Sequence, residues 1–225
     1  MIKMNPWFAF TDGACAANGR PGAVAGYSAV ICTWVLPADA GKTYRAKAIR
    51  GGVSPTTYAL IDPADPSRGF EPAAAGMPAV APSNNRGELL GIATALLAIL
   101  QAGSAGKIGP VEIVSDSDIS IKTLLDWYPK RLAKKTTNAL KNLDLVEIAW
   151  ALLGVLRTRA ESVTLTHVRS HQRAPAANRP VRERFFHGGN AEADRHAGLA
   201  IGAELITDVD DGLTSLAEEF YSHTV

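Results

Sequence analysis

The chain has 225 residues, of which 47% are hydrophobic and 20% are charged, and its net charge is +1. That length is enough for one well-packed domain with insertions or for two small domains. The apolar stretches are too short to span a bilayer, the N-terminal residues lack a secretory-signal pattern, and the small net charge excludes a generally cationic nucleic-acid-binding protein.

The chain contains two cysteines, Cys15 and Cys32. Because no export signal precedes them, we interpret both as reduced thiols of an intracellular protein rather than as a disulfide. We therefore expect a cytoplasmic monomer that does not associate with a membrane and needs no protein partner.

The first 83 residues predict strands followed by an irregular segment. Residues 7–11 are almost wholly apolar and end in Asp-Gly, which indicates a buried strand. Further strands are predicted at about 26–35 and 43–53, and the short connections favour an antiparallel meander. Residues 53–83 contain six prolines and no sustained period, which indicates an insertion or flap.

The remaining pattern alternates helices and strands. Helices are predicted over 86–101, 117–127 (stopped by Pro129), 143–159 and, after a loop through 184, over 190–205. Strands are predicted at 111–115 and 163–168. The order predicts an α/β fold with a mixed five-stranded sheet and helices packed on it. We predict a single domain over 1–205 and an acidic tail over 206–225 that forms either a terminal helix or a flexible end.

Four acidic residues lie where such a fold can bring side chains together. Asp12 and Asp116 each end a predicted strand, and parallel neighbouring strands place their carboxyl ends at one sheet edge. Glu88 is expected in the first turn of its helix, and Asp194 early in the helix after the last strand. Taken singly, each acid has a structural alternative, as a turn residue or a helix-terminus residue. Only their joint placement favours a site.

Clustered carboxylates indicate a particular chemistry. Like charges resist joint ionisation, whereas Mg²⁺ or Mn²⁺ stabilises them and prefers oxygen ligands. Two such ions about 4 Å apart serve phosphodiester cleavage. His171, just beyond the last predicted strand, is placed to transfer protons, whereas His167 inside that strand is expected to pack beside the sheet.

Six short segments, none specific alone, occur in a fixed order along the chain. They are residues 11–15 (TDGAC), 83–89 (SNNRGEL), 115–117 (SDS), 141–145 (KNLDL), 168–171 (VRSH) and 189–194 (GNAEAD). Together they resemble the motifs of type 1 ribonuclease H, from Trp7 to about Leu205.

The resemblance implies a fold and an activity. The fold is a ribonuclease H-like mixed sheet, antiparallel in its first three strands and then parallel, with helices on both faces. The activity is endonucleolytic hydrolysis of the RNA strand of RNA–DNA hybrids with two Mg²⁺ ions, for which Mn²⁺ substitutes. The products carry 5′-phosphate and 3′-hydroxyl ends.

The resemblance also implies residue roles. The metal-binding catalytic acids correspond to Asp12, Glu88, Asp116 and Asp194, and the histidine of proton transfer and product release corresponds to His171. The predicted substrate contacts are Asn84, Asn85, Asn190 and Asn18. Amide side chains both donate to and accept from a 2′-hydroxyl, the group that distinguishes RNA from DNA. For Asn84 and Asn85, a role in the loop or cap before the helix is the alternative.

The chain departs from the family pattern at several places. Asp118 stands where relatives have glutamine, and we assign it no role. The 53–83 insertion and the loop over 172–187 are unusually long, whereas the family's basic protrusion is reduced to a few lysines and arginines between 127 and 141. We predict that both basic segments contact the nucleic-acid backbone, the alternative being that they are solvated loops. The arginines of the long loop are Arg173, Arg179, Arg182 and Arg184.

Three other functions stay open. A transposase, integrase or resolvase core would also use clustered acids but would cut DNA; the asparagine pair and the His171 loop argue against it. A binding module that has lost its activity would typically lack one or more of the four acids. A reverse-transcriptase fragment is disfavoured by the short leader and the lack of polymerase sequence.

Overall fold

The computed structural model describes residues 5–35, 43–74, 79–103, 106–170 and 172–224. Two lists give the elements. The strands are β1 (Trp7–Ala16), β2 (Val24–Val35), β3 (Thr43–Gly52), β4 (Tyr58–Leu60), β5 (Phe70–Pro72), β6 (Val111–Ser115), β7 (Val163–His167) and β8 (Ile206–Asp210). The α-helices are α1 (Asn84–Ala102), α2 (Asp118–Lys122), α3 (Tyr128–Ala133), α4 (Leu143–Arg159), α5 (Val181–Leu199) and α6 (Asp211–Thr224).

The main sheet has six strands in the order β7-β6-β1-β2-β3-β8. The pairs β1–β2, β2–β3 and β3–β8 are antiparallel, whereas β1–β6 and β6–β7 are parallel. The predicted α/β class and the mixed sheet are therefore confirmed. The predicted count of five strands is wrong because β8 adds a sixth.

Side chains alternate across β1 and separate two cores. Ala9 belongs to the core that contains the apolar residues of α1 and α4. Phe8 and Phe10 belong to the other core, with aromatic residues of α5 and α6 such as Phe185 and Phe220. Because a strand turns successive side chains to opposite faces, β1 contributes to both cores, and the helices cover both faces of the sheet.

Helix α1 crosses the middle of one sheet face. Its cap is Ser83, whose side chain accepts a hydrogen bond from the backbone N–H of Arg86. Gly13 of β1 and Gly87 of α1 face each other so closely that a Cβ on either would collide with the other segment's backbone. The absence of side chains at both positions brings the start of α1 against β1.

A buried ion pair joins α1 to α4 and to the insertion. Arg86 donates from Nη1 to Asp144 Oδ1 at 3.0 Å, and from Nη2 to Asp144 Oδ2 at 2.8 Å and to the carbonyl oxygen of Thr56 at 3.0 Å. Asp144 Oδ2 also accepts from the backbone N–H of Tyr58 at 2.9 Å. The Pro-rich segment is thus attached to the domain at its beginning, and it contains the hairpin β4–β5.

The region after β6 differs from its predicted form. A π-helical segment, Thr123–Trp127, connects α2 to α3, and the helical path continues past Pro129 instead of stopping there. Pro129 is the second residue of α3, so its missing N–H falls in the first turn of that helix, directly after the π-helical segment.

Helix α5 begins earlier than predicted. It spans Val181–Leu199, so about half of the predicted 172–187 loop is helical. Proline at position 180 precedes the helix, and Phe185 and Phe186 anchor its first half in the aromatic core. Asp194 consequently lies in the second half of α5, not near its start.

The segment predicted as an acidic tail is part of the main domain. Strand β8 pairs with β3 from Ala46↔Asp210 to Arg50↔Ile206, and α6 packs on the same side as α5. Tyr221 of α6 donates a hydrogen bond to the carbonyl oxygen of Pro6 at 3.1 Å. The acidic composition hid this role because four of the five β8 residues are exposed at the sheet edge.

The two cysteines and the apolar content of the helices were also considered in the sequence. Cys32 is buried, Cys15 is partly exposed, and both are free thiols. No helix within the described ranges is long and apolar enough to cross a membrane.

Candidate active site

Two neighbouring parallel strands deliver the first pair of acids. The parallel ladder between β1 and β6 ends at Thr11↔Ser115, and Asp12 and Asp116 are the next residue on each strand. β1 itself continues to Ala16 through its pairing with β2, so Asp12 lies inside the strand, and the prediction that Asp12 ends it is wrong. The two acids nevertheless lie side by side at one sheet edge, because each directly follows the last residue pair of the β1–β6 ladder.

Glu88 completes a compact cluster. It is the fifth residue of α1, one position beyond the first turn in which it was predicted, and the close contact between Gly13 and Gly87 brings it to Asp12. One carboxylate oxygen each from Asp12, Glu88 and Asp116 lies within 4.8 Å of the others. We call these three residues the carboxylate cluster.

The fourth predicted acid, Asp194, lies at the same groove but outside this tight cluster. It lines the surface groove that also contains Asp12, Glu88 and Asp116, and its charge contributes to raising the pKa of Asp12. Asp194 is exposed to solvent, whereas Asp12 and Glu88 are only 6% and 4% exposed. We call this surface the acidic groove.

The carboxylates are held in an electrostatically unfavourable state. Burial, followed by repulsion from Asp12 and Asp116, raises the pKa of Glu88 from 4.5 to about 10. Burial and repulsion from Asp116 also raise the pKa of Asp12 from 3.8 to about 7, although the backbone N–H of Gly13 donates to Asp12 Oδ1 at 2.8 Å. The cluster therefore lacks positive charge.

The donor set fits a hard divalent cation. Oε2 of Glu88 is buried and has no hydrogen-bond partner among the described residues. The cluster contains three carboxylates and no cysteine or histidine, the ligand chemistry that favours Mg²⁺ or Mn²⁺ over zinc. A cation there would supply the missing partner and remove the repulsion.

The predicted asparagines lie around the same acids. Asn84 donates from Nδ2 to Glu88 Oε1 at 3.3 Å, and its backbone N–H donates to Asn18 Oδ1 at 3.3 Å. Asn84 and Asn85 line the acidic groove. Asn190 lies on α5 in an adjoining cleft, and its Oδ1 is buried without a partner in the described part of the chain.

Two sequence predictions need separate comment. His171 lies outside the described residues, so its role stays a prediction. Asp118 lines the acidic groove but pairs with Lys122 at 2.6 Å, which supports leaving it without a catalytic role. Sequence reasoning missed Ser170, which lines both the groove and the cleft; its only signal was its place beside His171 in the VRSH segment.

The basic segment over 172–187 is largely committed to ion pairs. Arg179 pairs with Glu183 at 2.9 Å and Arg182 with Glu112 at 2.9 Å. Arg184 donates from Nη1 to Glu219 at 2.8 Å. The prediction that this segment as a whole contacts nucleic acid therefore has to be narrowed to the arginines that lack such partners.

A second group of potential metal ligands has a different character. Glu192, His196 and Asp210 also bring their ligand atoms within 4.8 Å. Arg50 lies 2.8 Å from Nδ1 of His196, and Arg195 lies 3.6 Å from Asp210 Oδ2. Because guanidinium groups already supply positive charge, we interpret this network as structural, joining α5 to β3 and β8.

The family assignment comes from sequence comparison. The model of the RNase H family matches residues 56–201. The chain belongs to the RNase H family. It is accordingly a hydrolytic nuclease of a metal-dependent family, and its structure contains an acidic cluster, the carboxylate cluster defined above.

Solved structures show the same fold at low identity. The crystal structure of LC9-RNase H1, a type 1 RNase H with the type 2 active-site motif, is 20% identical with a TM-score of 0.55; the match covers 99% of this chain and 83% of that one. The PFV RNase H domain is 16% identical with a TM-score of 0.52, covering 88% and 95%. No curated protein sequence matches this RNase H-family chain significantly.

Proposed function

We propose that this protein is an endoribonuclease that hydrolyses the RNA strand of RNA–DNA hybrids with two divalent metal ions. The observation that carries the proposal is the carboxylate cluster, in which three acids from β1, α1 and the end of β6 bring oxygens within 4.8 Å and leave one buried oxygen without a partner. Family membership supports nuclease activity, and the asparagines beside the acids support an RNA substrate.

The residues have distinct proposed roles. Asp12, Glu88, Asp116 and Asp194 hold the ions, Mg²⁺ by preference and Mn²⁺ as a substitute. Bound there, the ions would supply activation of the attacking water and stabilisation of the leaving 3′-oxygen, so that the products would carry 5′-phosphate and 3′-hydroxyl ends. Asn84 orients Glu88 through its hydrogen bond, and Asn18 in turn accepts from the Asn84 backbone.

Recognition of RNA is assigned to amide groups. Asn84 and Asn85 at the acidic groove and Asn190 in the adjoining cleft offer both donors and acceptors, the property needed to bind a 2′-hydroxyl. We propose that His171 transfers protons at the same site. We also propose a cytoplasmic, monomeric enzyme, in keeping with its two free thiols.

A cleavage assay tests the proposal. Matched 20-nucleotide RNA–DNA hybrid, RNA duplex and DNA duplex are incubated with the protein in Mg²⁺, in Mn²⁺ and in EDTA, and the product ends are identified by phosphatase and ligase treatment. We expect cleavage of the hybrid RNA strand alone, only with metal, and with 5′-phosphate ends. Preferential cutting of duplex DNA would instead support the resolvase or integrase alternative, and binding without cutting would support an inactive module.

A further inference from the structure

A second cleft opens directly from the acidic groove. It has a volume of about 670 Å³ and lies between the segment that follows β7 and the first half of α5. Asp116, Ser170 and Asp194 line both surfaces, so the two are continuous. We define the arginine cleft by its lining residues Arg169, Arg173, Arg182, Phe186 and Asn190.

We propose that the arginine cleft binds the RNA strand next to the cleavage site, with Arg169 and Arg173 contacting its phosphates. This inference rests on the proposed hybrid cleavage, and it adds the path that the cleaved RNA strand takes next to the cleavage site.

The arginines that line the cleft differ in whether a carboxylate of the protein pairs with them. Arg182 pairs with Glu112, and the cleft residue Glu183 is paired with Arg179. Arg169 and Arg173 are exposed, and no carboxylate of the described residues lies within 4.0 Å of either one. The cleft therefore presents two uncommitted guanidinium groups, which match phosphate geometry.

The wall of the cleft is suited to sugars and bases. Phe186, Val168, Pro175 and Pro180 give it an apolar surface, and the guanidinium carbon of Arg182 lies 4.3 Å from the centre of the Phe186 ring. The Glu112 and Phe186 contacts fix Arg182 as part of this wall. A cleft of this volume, with apolar walls and a few polar groups, is of the size that accommodates small organic ligands such as a nucleotide.

The direction of the cleft identifies the strand. The acids that it shares with the acidic groove are the proposed ligands of the ions at the scissile phosphate, and that phosphate belongs to RNA. A strand leaving this point along the cleft is therefore the strand being cut. Asn190, with its buried unpartnered Oδ1, lies in the cleft and can accept a hydrogen bond from a 2′-hydroxyl.

The first test measures hybrid affinity and its salt dependence by fluorescence anisotropy, in an Asp116→Asn background that prevents cleavage. Arg169→Gln/Arg173→Gln should weaken binding about tenfold. The negative slope of log affinity against log salt should become shallower by about 0.9 for each lost phosphate contact. The control, Arg45→Gln/Arg157→Gln, removes two exposed arginines on β3 and α4 that line neither surface. Thermal melting of each variant verifies folding.

The second test locates the contact on one strand. Single phosphates near the cut are replaced by neutral methylphosphonates, in the RNA strand or in the DNA strand. We expect one or two RNA positions at which neutralisation weakens binding to the Arg169/Arg173-intact protein but not to the double variant. The same loss confined to DNA positions would overturn the assignment to RNA.

The outcomes separate this inference from the proposed function. If the unmutated protein cleaves the hybrid but the double variant binds with the affinity and salt slope of the control, the arginine cleft proposal is wrong and the nuclease proposal stands. If the unmutated protein cleaves no hybrid, the nuclease proposal fails and the cleft proposal fails with it.

Discussion

Arg86 and Glu88 are two residues apart on α1 and are 0% and 4% exposed, but their surroundings are opposite. Arg86 donates from both terminal nitrogens to Asp144 and to the Thr56 carbonyl, and only its Nε, like Oε2 of Glu88, has no partner among the described residues. Glu88 faces two further carboxylates and keeps one oxygen without a described partner. The buried charge of Arg86 is compensated within the protein, whereas Glu88 has no compensating positive charge and its pKa is raised, which distinguishes a structural ion pair from a site suited to a cation.

The pKa values of the two carboxylates in these regions express the same contrast. Burial raises the pKa of Asp144, but hydrogen bonds from Arg86 and from the Tyr58 backbone outweigh it, so this pKa lies below its ordinary 3.8. The pKa of Glu88 rises to about 10 because nothing opposes burial and repulsion sufficiently.

The largest effect should follow from neutralising an acid of the cluster. Asp116→Asn removes one ligand charge with little change in shape, and we expect hybrid cleavage to fall by about 10³-fold or more, since a metal ion contributes several kcal/mol to the transition state. Single-turnover cleavage in Mg²⁺ measures it. Full activity in a correctly folded variant would exclude Asp116 from the site.

Breaking the compensated pair should instead affect stability. Asp144→Ala leaves the Arg86 charge buried, and we expect the free energy of unfolding to fall by about 3–5 kcal/mol in urea titrations. The control is Lys122→Ala at an exposed ion pair, where the expected loss is below about 1 kcal/mol. Equal losses in the two variants would show that the buried pair is not exceptional.

A bound metal ion should neutralise the negative charge of the carboxylate cluster, as Asp144 neutralises the positive charge of Arg86. At 100 times its dissociation constant, Mg²⁺ should add about 2.7 kcal/mol, or roughly 5–10 °C in melting temperature. Glu88→Gln should raise the metal-free melting temperature near neutral pH, because folding of the unmutated protein must protonate Glu88 there and folding of the variant need not, while abolishing most of the Mg²⁺ shift. A full shift in this variant would contradict the assigned ligand.

The effect expected to be smallest for a single step of the experiment, one pH unit, is the pH dependence of stability. Because the folded pKa values of Asp12 and Glu88 are raised, the native state binds more protons than the unfolded state. Metal-free stability should therefore fall with rising pH, between about 4 and 7 for Asp12 and on to about 10 for Glu88, by at most about 1.4 kcal/mol per pH unit per proton.

Urea titrations of the metal-free protein at a series of pH values test this slope. Glu88→Gln should remove its part between pH 7 and 10, and saturating Mg²⁺ should flatten the dependence, since it binds the deprotonated acids. A metal-free stability that rises over the same range would contradict the repulsion within the cluster.

The sequence predicted where each acid of the cluster lies on its own strand or helix because those positions follow from local rules. Asp12 and Asp116 come at matching places on two apolar strands, and Glu88 follows a capped helix start. The sheet order, which joined them, became predictable only through the resemblance of six ordered segments to ribonuclease H. The roles of Asp194 and of the asparagines remain predictions about positions that the structure places at the groove.

Other features depended on distant partners and had no local signal. Strand β8 is polar and mostly exposed, and it is a strand because the edge of β3 offers backbone hydrogen bonds. The start of α5 was hidden by its arginines, although Phe185 and Phe186 anchor it. Asp144 resembled a helix-start residue, and only the fold shows that it reaches Arg86.

The hydrogen bonds of Thr56 and Tyr58 have a consequence for how this chain can vary. They attach the beginning of the Pro-rich segment to α1 and α4. The position of Glu88 on α1 therefore does not depend on most of the residues in that segment. Lengthening a flexible connection costs only about 0.6 kcal/mol per doubling. Insertions or grafted peptides at the exposed residues 63–65, ahead of the packed turn Pro66–Arg68, should therefore be tolerated, which makes this point between β4 and β5 a natural place for evolutionary change or for an engineered tag.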